Sequence, residues 1–91
     1  MNLRINEEYI ITNSVNIDDC EFVLGVSTKN PNMFVTWECA DNNRYFSGNY
    51  HNDLYLAQKD LVRRCQKEIE RIDYYKNMAK ADKQREKEFE R

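Results

Sequence analysis

The chain has 91 residues, with 14 Lys and Arg against 16 Asp and Glu and a net charge of −2. This length suits one small domain, which buries only about 60–65% of its unfolded surface. No run of about 18 apolar residues occurs, and the first residues lack a basic segment followed by an apolar one. We therefore expect a single domain, residues 1–91, in the cytoplasm, with neither a transmembrane helix nor a secretion signal.

Residue types that support catalysis or metal binding are sparse. The three cysteines, Cys20, Cys39 and Cys65, form no CxxC pair, and the only histidine, His51, lies twelve residues from the nearest of them. A zinc site needs four ligands, usually in pairs at short spacing. Nucleophile-elbow, glycine-rich phosphate-loop and HExxH motifs do not occur. We expect reduced, buried thiols, no metal, no cofactor and no enzymatic activity.

The first half of the chain has the pattern of a β-sheet. Runs rich in β-branched and aromatic residues alternate with clusters of Asn, Asp and Pro, and the runs are 3–13, 20–29, 33–40 and 44–48. Such runs suit a pleated, half-buried surface, and the clusters suit turns. The predicted fold class is α+β, with an antiparallel sheet of three or four strands packed against one long C-terminal helix.

From Asn52 onward the apolar period changes from two residues to about 3.6, which is typical of a helix. Asn52 or Asp53 can cap its start. The apolar stripe consists of Leu54, Ala57, Leu61, Cys65, Ile69, Ile72 and either Tyr75 or Lys76. At 1.5 Å per residue, residues 54–91 would extend about 57 Å, which is longer than such a sheet. Residues beyond Ile72 should therefore protrude, fray or meet a partner.

Charge is segregated along the chain. Residues 1–53 hold 3 basic and 8 acidic side chains, whereas residues 54–91 hold 11 basic and 8 acidic ones. The acidic cluster of the sheet half consists of Glu7, Glu8, Asp18, Asp19 and Glu21. An acidic surface of this kind would suit a basic surface on another protein. We therefore take these five residues as candidates for partner binding.

Two adjacent tyrosines, Tyr74 and Tyr75, lie beyond the part of the helix that the sheet is expected to cover. Adjacent side chains on a helix diverge by about 100°, so at least one of the two rings must be exposed. Tyrosine is enriched at interfaces because it combines a large apolar area with a polar tip. These two residues complete the predicted partner-binding set.

The helix also carries a row of basic residues that could contact phosphates: Lys59, Arg63, Arg64, Lys67 and Arg71. Acidic residues at 60, 68 and 70 lie among them, and the whole chain is acidic. Proteins that bind nucleic acid usually have a clear basic footprint. The sequence therefore disfavours nucleic acid as the partner.

Three short motifs occur between residues 34 and 64: Val35-x-Trp37-Glu38-Cys39, Tyr45-Phe46-x-Gly48-x-Tyr50 and Ala57-x-x-Asp60-Leu61-x-x-Arg64. This segment, about a third of the chain, resembles small proteins encoded by phages and mobile elements of Gram-positive bacteria. The resemblance implies a non-enzymatic protein that binds and inhibits a host defence protein, for instance a CRISPR nuclease, by covering a functional surface as anti-CRISPR proteins do. It assigns no site residue.

Two alternatives stay open at this point. The first is a nucleic-acid-binding or regulatory protein that forms a homodimer through the C-terminal helix and uses the basic flank of that helix. The second is an accessory protein with a structural or assembly role.

Overall fold

The computed structural model describes the backbone of residues 3–89 and the side chains of residues 3–79. Its elements are β1 (Ile5–Asn6), β2 (Tyr9–Ile17), β3 (Cys20–Ser27), β4 (Phe34–Ala40), β5 (Arg44–His51) and α1 (Leu54–Phe89). Within this part of the chain, all strands belong to one antiparallel sheet with the order β1-β2-β3-β4-β5. The predicted α+β class, an antiparallel sheet followed by one helix, is therefore confirmed.

The prediction of three or four strands is wrong, because residues 3–89 contain five. Residues 3–13 look like one run in the sequence, but a turn at Glu7 and Glu8 divides them into β1 and β2. Glu7 has a φ of 56°, and the one turn-favouring residue here is Asn6, directly before the pair, which by itself does not mark a turn as clearly as a cluster of Asn, Asp and Pro. β2 then continues to Ile17, because Asp18 and Asp19 alone make the turn to β3. Asp18 has a φ of 55°, a left-handed conformation that Asp adopts more readily than most residues.

One side of the sheet packs against α1. Asp53 caps the helix, since its Oδ1 accepts a hydrogen bond from the backbone N–H of Leu56 at 3.2 Å. The buried side chains of this side are Phe22, Leu24, Ala57, Leu61 and Cys65. Apolar residues four positions apart on α1 thus contact alternate residues of β3, because side chains share a face about every 3.6 residues on a helix and every two residues on a strand. Leu54 and Ile69 of the predicted stripe are instead exposed.

The other side of the sheet has a core of its own, although none of the described helical residues covers it. Its buried residues are Val23, Val35, Trp37 and Cys39. The rings of Tyr9 and Tyr45 lie against Trp37, with centroid distances of 5.6 and 5.5 Å. A Cβ at Gly48 would lie 2.7 Å from Trp37 Nε1, so only glycine lets β5 pass this close to the indole. The sheet curls around Trp37, and we call this its curled side.

The helix extends past the sheet and makes the molecule elongated, 67 × 25 × 20 Å. Cys20 Sγ, at the start of β3, lies 3.5 Å from Glu68 Oε2, so α1 leaves the sheet shortly after Glu68. The side chains of residues 73–79 are all exposed. The prediction that the end of the helix frays or meets a partner also concerns residues 80–91, whose side chains lie outside the described ones. The described helical residues contain no apolar stretch that could span a membrane.

Candidate functional site

The acidic residues predicted to bind a partner do not form one patch. Glu7 and Glu8 lie in the β1–β2 turn, whereas Asp18 and Asp19 lie in the β2–β3 turn. The nine residues of β2 separate these turns, which corresponds to about 30 Å at the usual rise of a strand. Glu8 also pairs with Lys29 at 2.7 Å. Only Asp18 and Asp19 lie at the end of the sheet where the helix emerges.

The remaining acidic candidate, Glu21, is buried and has an internal role. Arg4 donates hydrogen bonds to both of its carboxylate oxygens, at 2.7 and 3.1 Å, and the Ser14 hydroxyl donates another. The bonds from Arg4 lower the pKa of Glu21 to about 2, even though burial acts in the opposite direction. Arg4 also donates to the Tyr45 hydroxyl of β5 at 3.0 Å. Glu21 therefore stabilises the curl of the sheet, and its carboxylate is not available to bind a partner.

Asp60 of α1 is the polar centre of the helix-covered side. Its Oδ2 accepts hydrogen bonds from the Thr36 hydroxyl at 2.5 Å and from Asn49 Nδ2 at 3.0 Å. His51 Nε2 and Arg64 Nε lie 3.3 and 3.4 Å from the same oxygen. Burial would raise the pKa of this carboxyl, but these four neighbours lower it to about 2. Asp60 thus holds α1 to β4 and β5 as a fixed anion, and it is too weak a base to take up a proton near neutral pH.

The cysteines offer no reactive thiolate. Cys39 and Cys65 are buried and Cys20 is half-buried, and burial raises the pKa of all three thiols. A thiol must be ionised to act as a nucleophile or a metal ligand. Among the residues that the structure describes, no group of three or more His, Cys, Asp and Glu side chains could hold a metal ion.

The predicted tyrosines lie at the same end of the molecule as Asp18 and Asp19. Tyr74 and Tyr75 are 61% and 58% exposed, and their rings meet edge to face with centroids 5.6 Å apart. Met78, one turn further along, is 45% exposed. Asp18, Asp19, Tyr74, Tyr75 and Met78 together form what we call the distal surface.

Tyr75 continues the helix face that packs on the sheet. It lies three residues after the half-buried Ile72, so these two side chains are about 60° apart around the helix, whereas Tyr74 lies on the side opposite Cys65. Beyond Ile72 no strand of the described chain lies beneath this side. Tyr75 therefore extends the packed side of α1 past the sheet, while Tyr74 lies on the other side of the helix, at the end of the molecule where Asp18 and Asp19 are exposed.

Sequence reasoning missed Arg4, Asp60 and the polar residues that converge on Asp60. A signal for Asp60 exists, because an acidic residue four before Arg64 and directly before the buried Leu61 lies at the margin of the packed face. Arg4 has no such signal, since its partners lie 17 and 41 residues away.

Comparisons with protein-family models, curated proteins and solved structures find no match.

Proposed function

We propose that this chain is a non-enzymatic protein that binds a host defence protein, for instance a CRISPR nuclease, and inhibits it by covering a functional surface. The observation that carries this proposal is the distal surface. Tyr74 and Tyr75 are exposed on a part of α1 that lies past the sheet, at the end of the molecule that also carries the exposed Asp18 and Asp19. None of these four side chains belongs to either core cluster.

The charges of the distal surface favour a basic partner surface. Asp18 and Asp19 make no ion pair with any described residue, whereas Arg4 and Lys29 are already paired within the sheet half. Asp41 and Arg44 of the β4–β5 hairpin also lie at this end, and their charges offset each other. This end therefore keeps the negative charge of Asp18 and Asp19. Nucleases hold the phosphates of their substrates with basic side chains, and an acidic protein that covers such side chains competes with the substrate.

The tyrosines supply the apolar part of the contact. Tyrosine is frequent among the residues that carry most of the binding free energy at interfaces, because it buries a large area at a small entropic cost. The Arg71 guanidinium lies 5.8 Å from the centroid of Tyr75, and the neighbouring ring of Tyr74 supports it from the side. These contacts order the rings before a partner arrives, which lowers the cost of binding.

A pair of photo-crosslinking variants tests the proposal. A photoreactive phenylalanine analogue replaces Tyr75 in one variant and Tyr55 in the other. Tyr55 is 67% exposed but lies near the start of α1, at the opposite end of the sheet. We expect the analogue at position 75 to crosslink one host defence protein and the analogue at position 55 to leave it unlabelled.

The crosslinked protein is then purified and assayed with the full chain. The wild-type chain should inhibit its activity, and the double variant Tyr74→Ala/Tyr75→Ala should inhibit at least tenfold less well, since two central aromatic residues each contribute more than about 1 kcal/mol. Full inhibition by the double variant, or equal labelling from both positions, would refute the proposal. Labelling of a second copy of the chain alone would instead favour a homodimer.

A further inference from the structure

A groove runs along the flank of α1 that faces β5. Lys59, Arg63, Lys67 and Arg71 follow one another at four-residue intervals along this flank, over about 18 Å of helix. Two open depressions lie against the row, with volumes of about 160 and 230 Å³. Lys59 and Arg63 line the first depression, and Lys67 and Arg71 line the second.

Two of the acidic residues near this row are already engaged by other groups. Asp60 is held by its sheet partners and Arg64, as described above. Glu68 accepts a hydrogen bond from Arg71 Nη2 at 2.6 Å and lies beside the Cys20 thiol. The third acid, Glu70, accepts a hydrogen bond from Gln66 Nε2 at 3.3 Å. Counted along the sequence, these three acids neutralise the row and argue against nucleic acid. In the fold they do not, because Lys59, Arg63 and Lys67 make no ion pair within the described residues.

The strand beside the groove, β5, carries a partly exposed aromatic side chain. Phe46 of β5 lies opposite Glu38 of β4, and Glu38 is the one further acid that lines the second depression. Directly opposed residues of an antiparallel pair share a side of the sheet, so Phe46 faces the helix side. Its side chain is 41% exposed, and the neighbouring Ser47 carbonyl accepts a hydrogen bond from Arg64. Arg44, two residues earlier on β5, lies on the same side.

We propose that this groove binds a short stretch of single-stranded nucleic acid, with Lys59, Arg63 and Lys67 contacting phosphates and Phe46 stacking on a base. Single strands are bound by this combination of a basic groove and aromatic rings, because their bases are free to stack. The inference does not depend on the proposed inhibitor function. Among the residues that line the groove, Arg71 also contacts Tyr75 of the distal surface, but Arg71 is not one of the residues assigned to phosphates.

Fluorescence anisotropy with the full chain tests this inference. The probes are a labelled oligothymidylate and a labelled duplex of the same length, each titrated at several salt concentrations. We expect the single strand to bind more tightly than the duplex. The logarithm of its affinity should fall with the logarithm of salt with a slope of about −2, which corresponds to three phosphate contacts.

Two charge-reversal variants distinguish binding in the groove from a general effect of the chain's net charge. Lys67→Glu changes the groove, and Lys76→Glu makes the same change at an exposed position on another face of the helix. We expect the first variant to bind the single strand at least tenfold more weakly than the second, and with a shallower salt slope. Equal affinities of the two variants would overturn the assignment of the groove.

Phe46→Leu tests the stacking. The variant should bind the single strand about tenfold more weakly while its salt slope stays that of the wild type, because leucine keeps an apolar side chain but cannot stack. Thermal unfolding of each variant checks that it folds. Unchanged affinity in Phe46→Leu, tighter binding of the duplex, or no binding of the single strand at the lowest salt would each overturn the inference.

Discussion

The two sides of the sheet are buried in different ways. On the helix-covered side, α1 supplies half of the core, and the charged Asp60 joins it to β4 and β5. On the curled side the strands close on themselves around Trp37, and Arg4 joins Glu21 of β3 to Tyr45 of β5. Each side thus combines an apolar cluster with one carboxylate that is largely removed from solvent. The difference teaches that a small domain can bury both sides of a sheet with a single helix if the strands curl.

The largest expected effect on stability comes from removing the central side chain of the curled side. Trp37→Ala should lower the free energy of unfolding by about 3–5 kcal/mol, because it removes the ring around which Tyr9 and Tyr45 pack. Leu61→Ala on the helix-covered side is the matched change and should cost about 2–5 kcal/mol. Urea unfolding monitored by circular dichroism measures both. A loss below about 1 kcal/mol for Trp37→Ala would mean that the curled side contributes little to stability.

Acid should lower the free energy of unfolding through both sides of the sheet at the same time. The folded-state pKa is about 2 for Glu21 and for Asp60, compared with ordinary values of 4.5 and 3.8. Because both values are lowered in the folded state, their contribution to stability is complete above about pH 4.5 and is lost as the pH falls towards 2. Urea midpoints measured between pH 7 and pH 2 should therefore decline mainly below pH 4.5.

The single variants Glu21→Gln and Asp60→Asn show how much of this pH dependence comes from the curled side and how much from the helix-covered side. Each should make the decline below pH 4.5 shallower, since each removes one of the two titrating groups. A variant with the same acid profile as the wild type would show that its carboxyl has an ordinary pKa in the folded protein.

At neutral pH, Asp60→Asn should cost about 1.5–3 kcal/mol, because it weakens charge-assisted hydrogen bonds to groups that stay buried. Glu21→Gln should cost less, since Arg4 is more exposed than His51 and Arg64 beside Asp60 and water can replace the lost contact. Urea unfolding at pH 7 compares the two variants. An equal or larger loss for Glu21→Gln would place the stronger polar link on the curled side.

The sequence predicted the helix-covered side better than the curled side. The helix start at Asp53 and the hairpin turn at Asp41-Asn42-Asn43 follow from local rules for caps and turns, and the structure contains both. The apolar period of α1 identified Ala57, Leu61 and Cys65 as its buried face. These features depend on residues a few positions apart, which a pattern can show.

The curled side depends on contacts between distant residues, which no local pattern shows. Alternation along β4 places Val35, Trp37 and Cys39 on one side of the sheet, but it does not say what covers them. Tyr9 and Ile11 of β2 and Tyr45 of β5 pack against them, and Arg4 with its partner Glu21 closes the edge beside Cys39. For the same reason Glu21, an acid between a turn and an apolar run, looked like a surface residue.

The smallest expected effect concerns the part of α1 beyond both sides of the sheet. Tyr75→Ala should change the free energy of unfolding by less than about 0.5 kcal/mol, because the ring is exposed and alanine favours a helix. The variant Leu61→Ala, on the same helix but above the sheet, provides the contrast. Urea unfolding of the two variants therefore shows where the sheet stops stabilising the helix. A loss at Tyr75 comparable to that at Leu61 would mean that this ring belongs to the core, and it would remove the distal surface as a place for a partner.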